Sequence, residues 1–191
     1  MKRLAFVTAI LALAAPLALA QTSTWTSDPN HSEVDFSISH LTVSNIHGRF
    51  GHVAATIAYN EADVTKSTVN ATIDVTAVDT GEDARNNHLK SPDFFDVATY
   101  PSATFTSTSV AKGGNGLLIN GNLTLHGVTK PVVLNAEGPR GPAPGMDHKP
   151  HAGFSATTTV KRSDFGIGGK FPSAAIGDDV KLNIELEIVK Q

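Results

Sequence analysis

The sequence contains no cysteine. That excludes disulfide staples, thiolate metal ligands, a cysteine nucleophile and a lipid-modified N-terminal cysteine, even in a compartment that permits disulfides. Charge is sparse as well: Asp, Glu, Lys and Arg make up 17% of the chain, with a formal net charge of −3. No basic cluster occurs, so nucleic acid is a poor partner. Beyond residue 20 no apolar run approaches the roughly 20 residues a membrane span needs, and no stable membrane anchor is expected there. Catalytic signatures are equally thin. There is no Gly-x-Ser-x-Gly elbow and no His-Glu-x-x-His run, and the 8 histidines are scattered. His148 and His151 lie three apart in a Gly/Pro-rich stretch, a spacing that suits an adventitious metal, but nothing in the sequence organises them. No cofactor or metal is expected.

What is present begins with an address. Lys2 and Arg3 form a positive start, and Leu4 to Leu19 is apolar apart from Thr8 and Pro16. Ala18-Leu19-Ala20 then supplies the small-x-small cleavage pattern. The expectation is a signal peptide over residues 1–20 and a periplasmic domain over 21–191. Losing Lys2 and Arg3 would take the net charge from −3 to −5.

The rest of the chain alternates. Val180, Leu182, Ile184, Leu186 and Ile188 share one face of a strand, as do Val69, Ala71, Ile73, Val75 and Ala77. Val34, Phe36 and Ile38 repeat the pattern, with His40 falling on the apolar face. Further strands are predicted at Gly48–Tyr59, Ala103–Ala111, Gly116–Leu125, Pro131–Glu137 and Phe154–Lys161, and Gly138–Pro150 reads as a surface loop. The spacing is that of a meander of hairpins: an all-β, antiparallel barrel of about eight strands. One segment departs from it. Thr80-Gly81-Glu82-Asp83 reads as a capping box, predicting a short helix that ends before Pro92. A second helical turn is predicted at His40–Asn45.

Arg85, His88 and Leu89 share one face of that helix by their i, i+3, i+4 spacing. Phe94, Phe95, Tyr100 and Phe105 follow directly. An apolar cluster with one Arg and one His nearby suits a lipid with a polar head. It equally suits a helix that plugs the end of a barrel.

The blocks in which these residues occur resemble the YceI-like proteins. Trp25 and Asp28 precede His31-Ser32-x-Val34-x-Phe36-x-Ile38-x-His40, followed by Gly48-Arg49-Phe50. Next come Arg85-Asn86-Asn87-His88-Leu89 and Ser91-Pro92-Asp93-Phe94-Phe95-Asp96-Val97, then Gly121-Asn122-Leu123-Thr124-Leu125-His126-Gly127. Lys161-Arg162-Ser163-Asp164-Phe165-Gly166-Ile167-Gly168 follows, and Ile176-Gly177-x-x-Val180 closes the series. The chain departs from the family pattern at Asn86, usually Asp, and at His151, often Arg.

The resemblance implies a lipocalin-like barrel with an elongated interior that holds a polyisoprenoid chain, such as a prenyl pyrophosphate or a quinone. It implies a binding or carrier protein and not an enzyme; an enzyme or accessory factor of a membrane quinone or isoprenoid pathway is the alternative. The expected lining is Val34, Phe36, Ile38, Phe94, Phe95, Phe105, Phe154, Ile184 and Leu186. Arg85, His88, His40, Arg162 and Asp164 are expected near the mouth, as head-group contacts or as structural bridges. Oligomeric state, monomer or homodimer, is left open.

Overall fold

The computed structural model describes residues 22–114 and 116–191. The expected signal peptide lies outside them. In chain order the strands are β1 (Thr22–Ser27), β2 (Glu33–His40), β3 (Ser44–Phe50), β4 (Val53–Asn60), β5 (Thr68–Asp74), β6 (Ser102–Gly113), β7 (Gly116–Leu125), β8 (Val128–Pro144), β9 (Pro150–Lys161) and β10 (Ile176–Lys190). One helix, α1 (Asp83–Lys90), interrupts them between β5 and β6.

Every pairing is antiparallel, and the ten strands occupy eight positions of a closed ring. β1 and β2 follow one another along the same edge of β10: Ser27 pairs with Ile188, and Glu33 with Glu185. β3 and β4 run back beside them in the same order. From β4 the meander continues through β5, β6, β7, β8, β9 and β10, and the β1–β10 pairing closes it. A closed ring leaves few unpaired backbone edges and an interior faced by alternate residues of each strand.

Five expectations need correction. Gly48–Tyr59 is two strands, because the chain turns at Gly51-His52, where His52 has φ 58. His40–Asn45 is a hairpin turn between β2 and β3 and carries no helix. The second alternating run leaves the sheet at Asp74; Val75–Ala77 is a 3-10 turn capped by the Asp74 side chain. The supposed loop 138–150 is mostly sheet: β8 runs to Pro144, its register shifting on either side of Arg140, and the turn occupies only 145–149. Glycine and proline mark those bulges and did not end the strand. Finally, the cap of α1 is Glu82, whose carboxylate accepts from the N–H groups of Ala84 and Arg85. Thr80 instead holds side chains from the helix: its N–H and hydroxyl both donate to Asn86 Oδ1, and its Oγ1 accepts from Arg85 Nε. As expected, the helix stops before Pro92, with Ser91 as its C-cap.

Candidate functional site

The inward faces of the strands enclose a cavity of about 500 Å³, within the range of small-molecule sites. Alternation puts Val34, Phe36 and Ile38 of β2, Phe105 of β6, Phe154 of β9 and Ile184 and Leu186 of β10 on its wall. Phe36 and Phe105 lie over glycines of neighbouring strands. A Cβ at Gly48 would meet the Phe36 ring, and one at Gly121 the Phe105 ring, so the missing side chains are what let the aromatics lie flat.

Phe94 and Phe95 reach the cavity from the segment after α1. Phe95 sits edge-on to Phe50, at 5.5 Å between centroids, and Phe50 packs on Phe36 at 5.3 Å. Phe94 stacks on Phe171, and His88 stands edge-on to both rings at 5.0 and 5.8 Å. Lys170 and His88 flank this group, both facing the carboxylate of Asp93 at 2.5 and 3.4 Å. Lys170 first, then His88, holds that carboxyl below its ordinary value.

Of the residues that line the cavity only His40 and His88 are exposed. The opening therefore lies between the β2–β3 hairpin and α1. Arg85 is beside it, half-buried, with Nε donating to Thr80 Oγ1 at 2.7 Å and Nη2 to the Thr80 carbonyl at 2.8 Å. Its Nη1 has no hydrogen-bond partner among the described residues.

Thirteen of the fourteen residues expected at the site line the cavity; Asp164 does not. It is exposed on the 3-10 turn after β9 and makes no bridge to Arg162. Arg162 differs from expectation in another way. It is only 6% exposed, and its guanidinium donates to five carbonyls: Nε to Gly177, Nη1 to Ile167 and Gly168, Nη2 to Phe171 and Ile176. A guanidinium has five N–H donors, so none is left for a head group. Arg162 is a strut that shapes the loop 166–175 beside the mouth.

One group of polar residues was not legible in the sequence. Asp28, His31 and Glu187 each place a potential ligand atom within 4.8 Å of the others, away from the cavity lining. His151 joins them through Glu187 at 2.7 Å and reaches Asp147 at 2.9 Å. Glu187 first, then Asp147, pushes the His151 imidazole above its ordinary value, and Asp28 does the same for His31. The pairing of β10 with β1 and β2 brings Glu187 beside Asp28 and His31, more than 150 positions earlier in the chain, a separation no local motif encodes.

The YceI-like domain matches residues 25–188. A UPF0312 protein of Pectobacterium atrosepticum is 40% identical over 193 residues, covering 100% of this chain and 98% of that one. The crystal structure of Campylobacter jejuni YceI superposes with a TM-score of 0.71 at 37% identity, over 81% of this chain and 90% of that one. A domain from Saccharophagus degradans described as polyisoprenoid-binding shares the fold at 18% identity and a TM-score of 0.65, over 90% of this chain and 100% of that one. The profile match and the full-length relatives agree on one assignment: this chain belongs to the YceI-like domain family.

Proposed function

We propose that this chain is an exported carrier that holds one isoprenoid-type lipid, a prenyl pyrophosphate or a quinone, inside its barrel. The observation that carries the reading is the cavity: about 500 Å³, walled by aliphatic and aromatic side chains, with its two exposed lining residues together at one end. No carboxylate among the described residues lines it. Arg162 is fully used by protein carbonyls, Arg85 is held to Thr80 through Nε and Nη2 with only Nη1 free at the mouth, and the two exposed histidines stand at the opening rather than beside a buried acid. An acid–base constellation would need such groups to converge on one point; a rod of hydrocarbon needs only apolar wall.

The energetics fit. Each methylene withdrawn from water is worth about 0.8 kcal/mol, and ordering a flexible chain offsets part of that. Family membership and the description of the Saccharophagus degradans domain support an isoprenoid cargo. Periplasmic location rests on the leader-like residues 1–20; intact mass of the secreted protein should begin at Gln21.

The polar end of the ligand is assigned to Arg85 Nη1 and His88, at the mouth. Arg suits phosphate because its fork can bind two oxygens at once. The test compares Arg85→Gln with the parent for a prenyl pyrophosphate and for a prenyl alcohol of equal length. Pyrophosphate binding should weaken by about 1.5–3 kcal/mol, the range of a charge-assisted hydrogen bond, with the alcohol little changed. Equal losses for both ligands, together with lower stability, would show that Arg85 serves only to hold Thr80. Failure of the parent to bind either ligand, with no lipid extractable from natively purified protein, would remove the carrier reading.

A further inference from the structure

Large apolar side chains are exposed at four described positions: Leu41, Val43, Val133 and Met146. Two of the four sit in one three-residue turn, the tip of the β2–β3 hairpin, with Leu41 53% and Val43 81% exposed. That tip adjoins the opening. Ser39, His40 and Ile46, on the two strands just below it, line the cavity. Solitary exposed hydrophobics need no explanation; a pair concentrated at the mouth of an apolar cavity does.

The backbone holds them there at a cost. Leu41 and Thr42 have φ of 52° and 60°, the left-handed region that bulky and β-branched residues avoid. Hairpin turns of this kind ordinarily use Asn or Gly. The strained turn is held from outside the hairpin by Leu41 N–H, which donates to the Ala175 carbonyl at 2.9 Å, and from within by Val43 N–H, which donates to the His40 carbonyl at 3.1 Å. Arg162 in turn braces the 166–175 loop from beneath. The tip is thus built to stand out rather than to fold back.

Charge is distributed to match. From Phe36 to Gly48 the hairpin has no Lys, Arg, Asp or Glu, and neither does the abutting run Phe171–Gly177. The far side of the opening is charged, with Glu82 capping α1, Asp83 and Lys90 on it and the Asp93–Lys170 pair next to it. One lip of the mouth carries no full charge and presents Leu41 and Val43 among neutral polar side chains; the other is charged.

We infer that the β2–β3 hairpin tip is a wedge that enters the interfacial layer of a lipid bilayer and sets the cavity mouth against the membrane. This rests on the isoprenoid cargo proposed above, since such a chain resides in a bilayer and must be drawn from one. Leu41 and Val43 would sit among the upper acyl chains, and the absence of carboxylates and ammonium groups on the hairpin avoids the penalty of carrying them inward. His40 and His88 would then lie at head-group level beside the opening.

The test uses protein produced from the full chain, with Leu41→Ser and Val43→Ser combined. Met146→Ser is the control: Met146 is fully exposed in the β8–β9 turn, at the opposite end of the barrel. Three quantities are compared with the parent: flotation with phosphatidylethanolamine and phosphatidylglycerol vesicles, transfer of octaprenol out of those vesicles, and uptake of octaprenol from detergent micelles. The expected result is about a tenfold loss of flotation and transfer in the double variant, unchanged micellar uptake, and no effect of the control. Unchanged flotation and transfer in the double variant would overturn the wedge while micellar uptake kept the cargo reading intact. Equal losses in Met146→Ser would overturn it too, as would a parent dimer that the double variant converts to monomer, which would make the tip a contact between two copies. A parent that took up no octaprenol from micelles would end the cargo reading; flotation lost only in the double variant would still support membrane docking.

Discussion

Phe94 stacks on Phe171 with ring centroids 5.1 Å apart and planes 16° apart. This contact joins the segment that follows α1 to the loop that follows β9, two pieces of chain that meet only at the open end of the barrel. Phe94 is buried, 6% exposed, and Phe171 half-buried. Phe94→Ala should cost about 3–5 kcal/mol, as expected for a buried aromatic, and Phe171→Ala about 1 kcal/mol, both read from urea denaturation. Equal effects would mean that the stack does not bury Phe94.

Phe36 lines the cavity from β2 and packs on Phe50. Phe36→Asp puts an unpaired carboxylate in an apolar wall, where it costs several kcal/mol or takes up a proton. Thermal stability and the lipid content of extracts should both fall. A variant that melted like the parent and kept its lipid would place the residue-36 side chain outside the ligand path.

Arg162 predicts a graded series. Removing the guanidinium leaves five carbonyls without their donor, so Arg162→Ala should cost more than about 4 kcal/mol. Lysine offers three donors for five acceptors, and Arg162→Lys should recover only part, about half. Full rescue by lysine would show that charge, and not the geometry of the fork, holds the loop.

His151 predicts a pH dependence. Both ring nitrogens face carboxylates, those of Glu187 and Asp147, an arrangement that favours the imidazolium. A His whose value is raised by folding from 6.5 contributes stability below that value and loses it as pH rises through the raised one. Asp147, whose value folding lowers from 3.8, contributes above 3.8 and loses its share as pH falls through the lowered value. Parent protein should therefore lose melting temperature as pH rises from 6.5 through the raised value, and His151→Gln should show a flatter profile over that interval. Parallel curves would assign the slope to another group, with His31 the next to change.

Period-two alternation is a local property, and it was enough to indicate an antiparallel barrel and most of its wall. Val34, Phe36 and Ile38, or Ile184 and Leu186, must share a face in any extended chain, and the apolar face must turn inward. The same reasoning could not see breaks within a strand position. A bend at His52, or bulges beside Arg140, depend on how neighbouring strands twist around a closed ring and not on the residues of one segment. It also misread Gly and Pro in β8 as a loop, because a bulge and a turn use the same residue types.

Polar groups divided along the same line. The position of Arg85 and His88 on one helix face followed from helical spacing alone. Arg162 and Asp164 looked alike in sequence, a charged pair near a strand end, yet one is buried against five carbonyls and the other is exposed. What separates them is the path of the loop 166–175, which wraps its carbonyls around a guanidinium. The sequence by itself determined the periodicity, the inward faces and the helix that interrupts them, since these follow from local backbone geometry. Tertiary structure decided ring closure, the side on which the cavity opens and which polar side chains remain free there, because each depends on contacts between residues far apart in the chain.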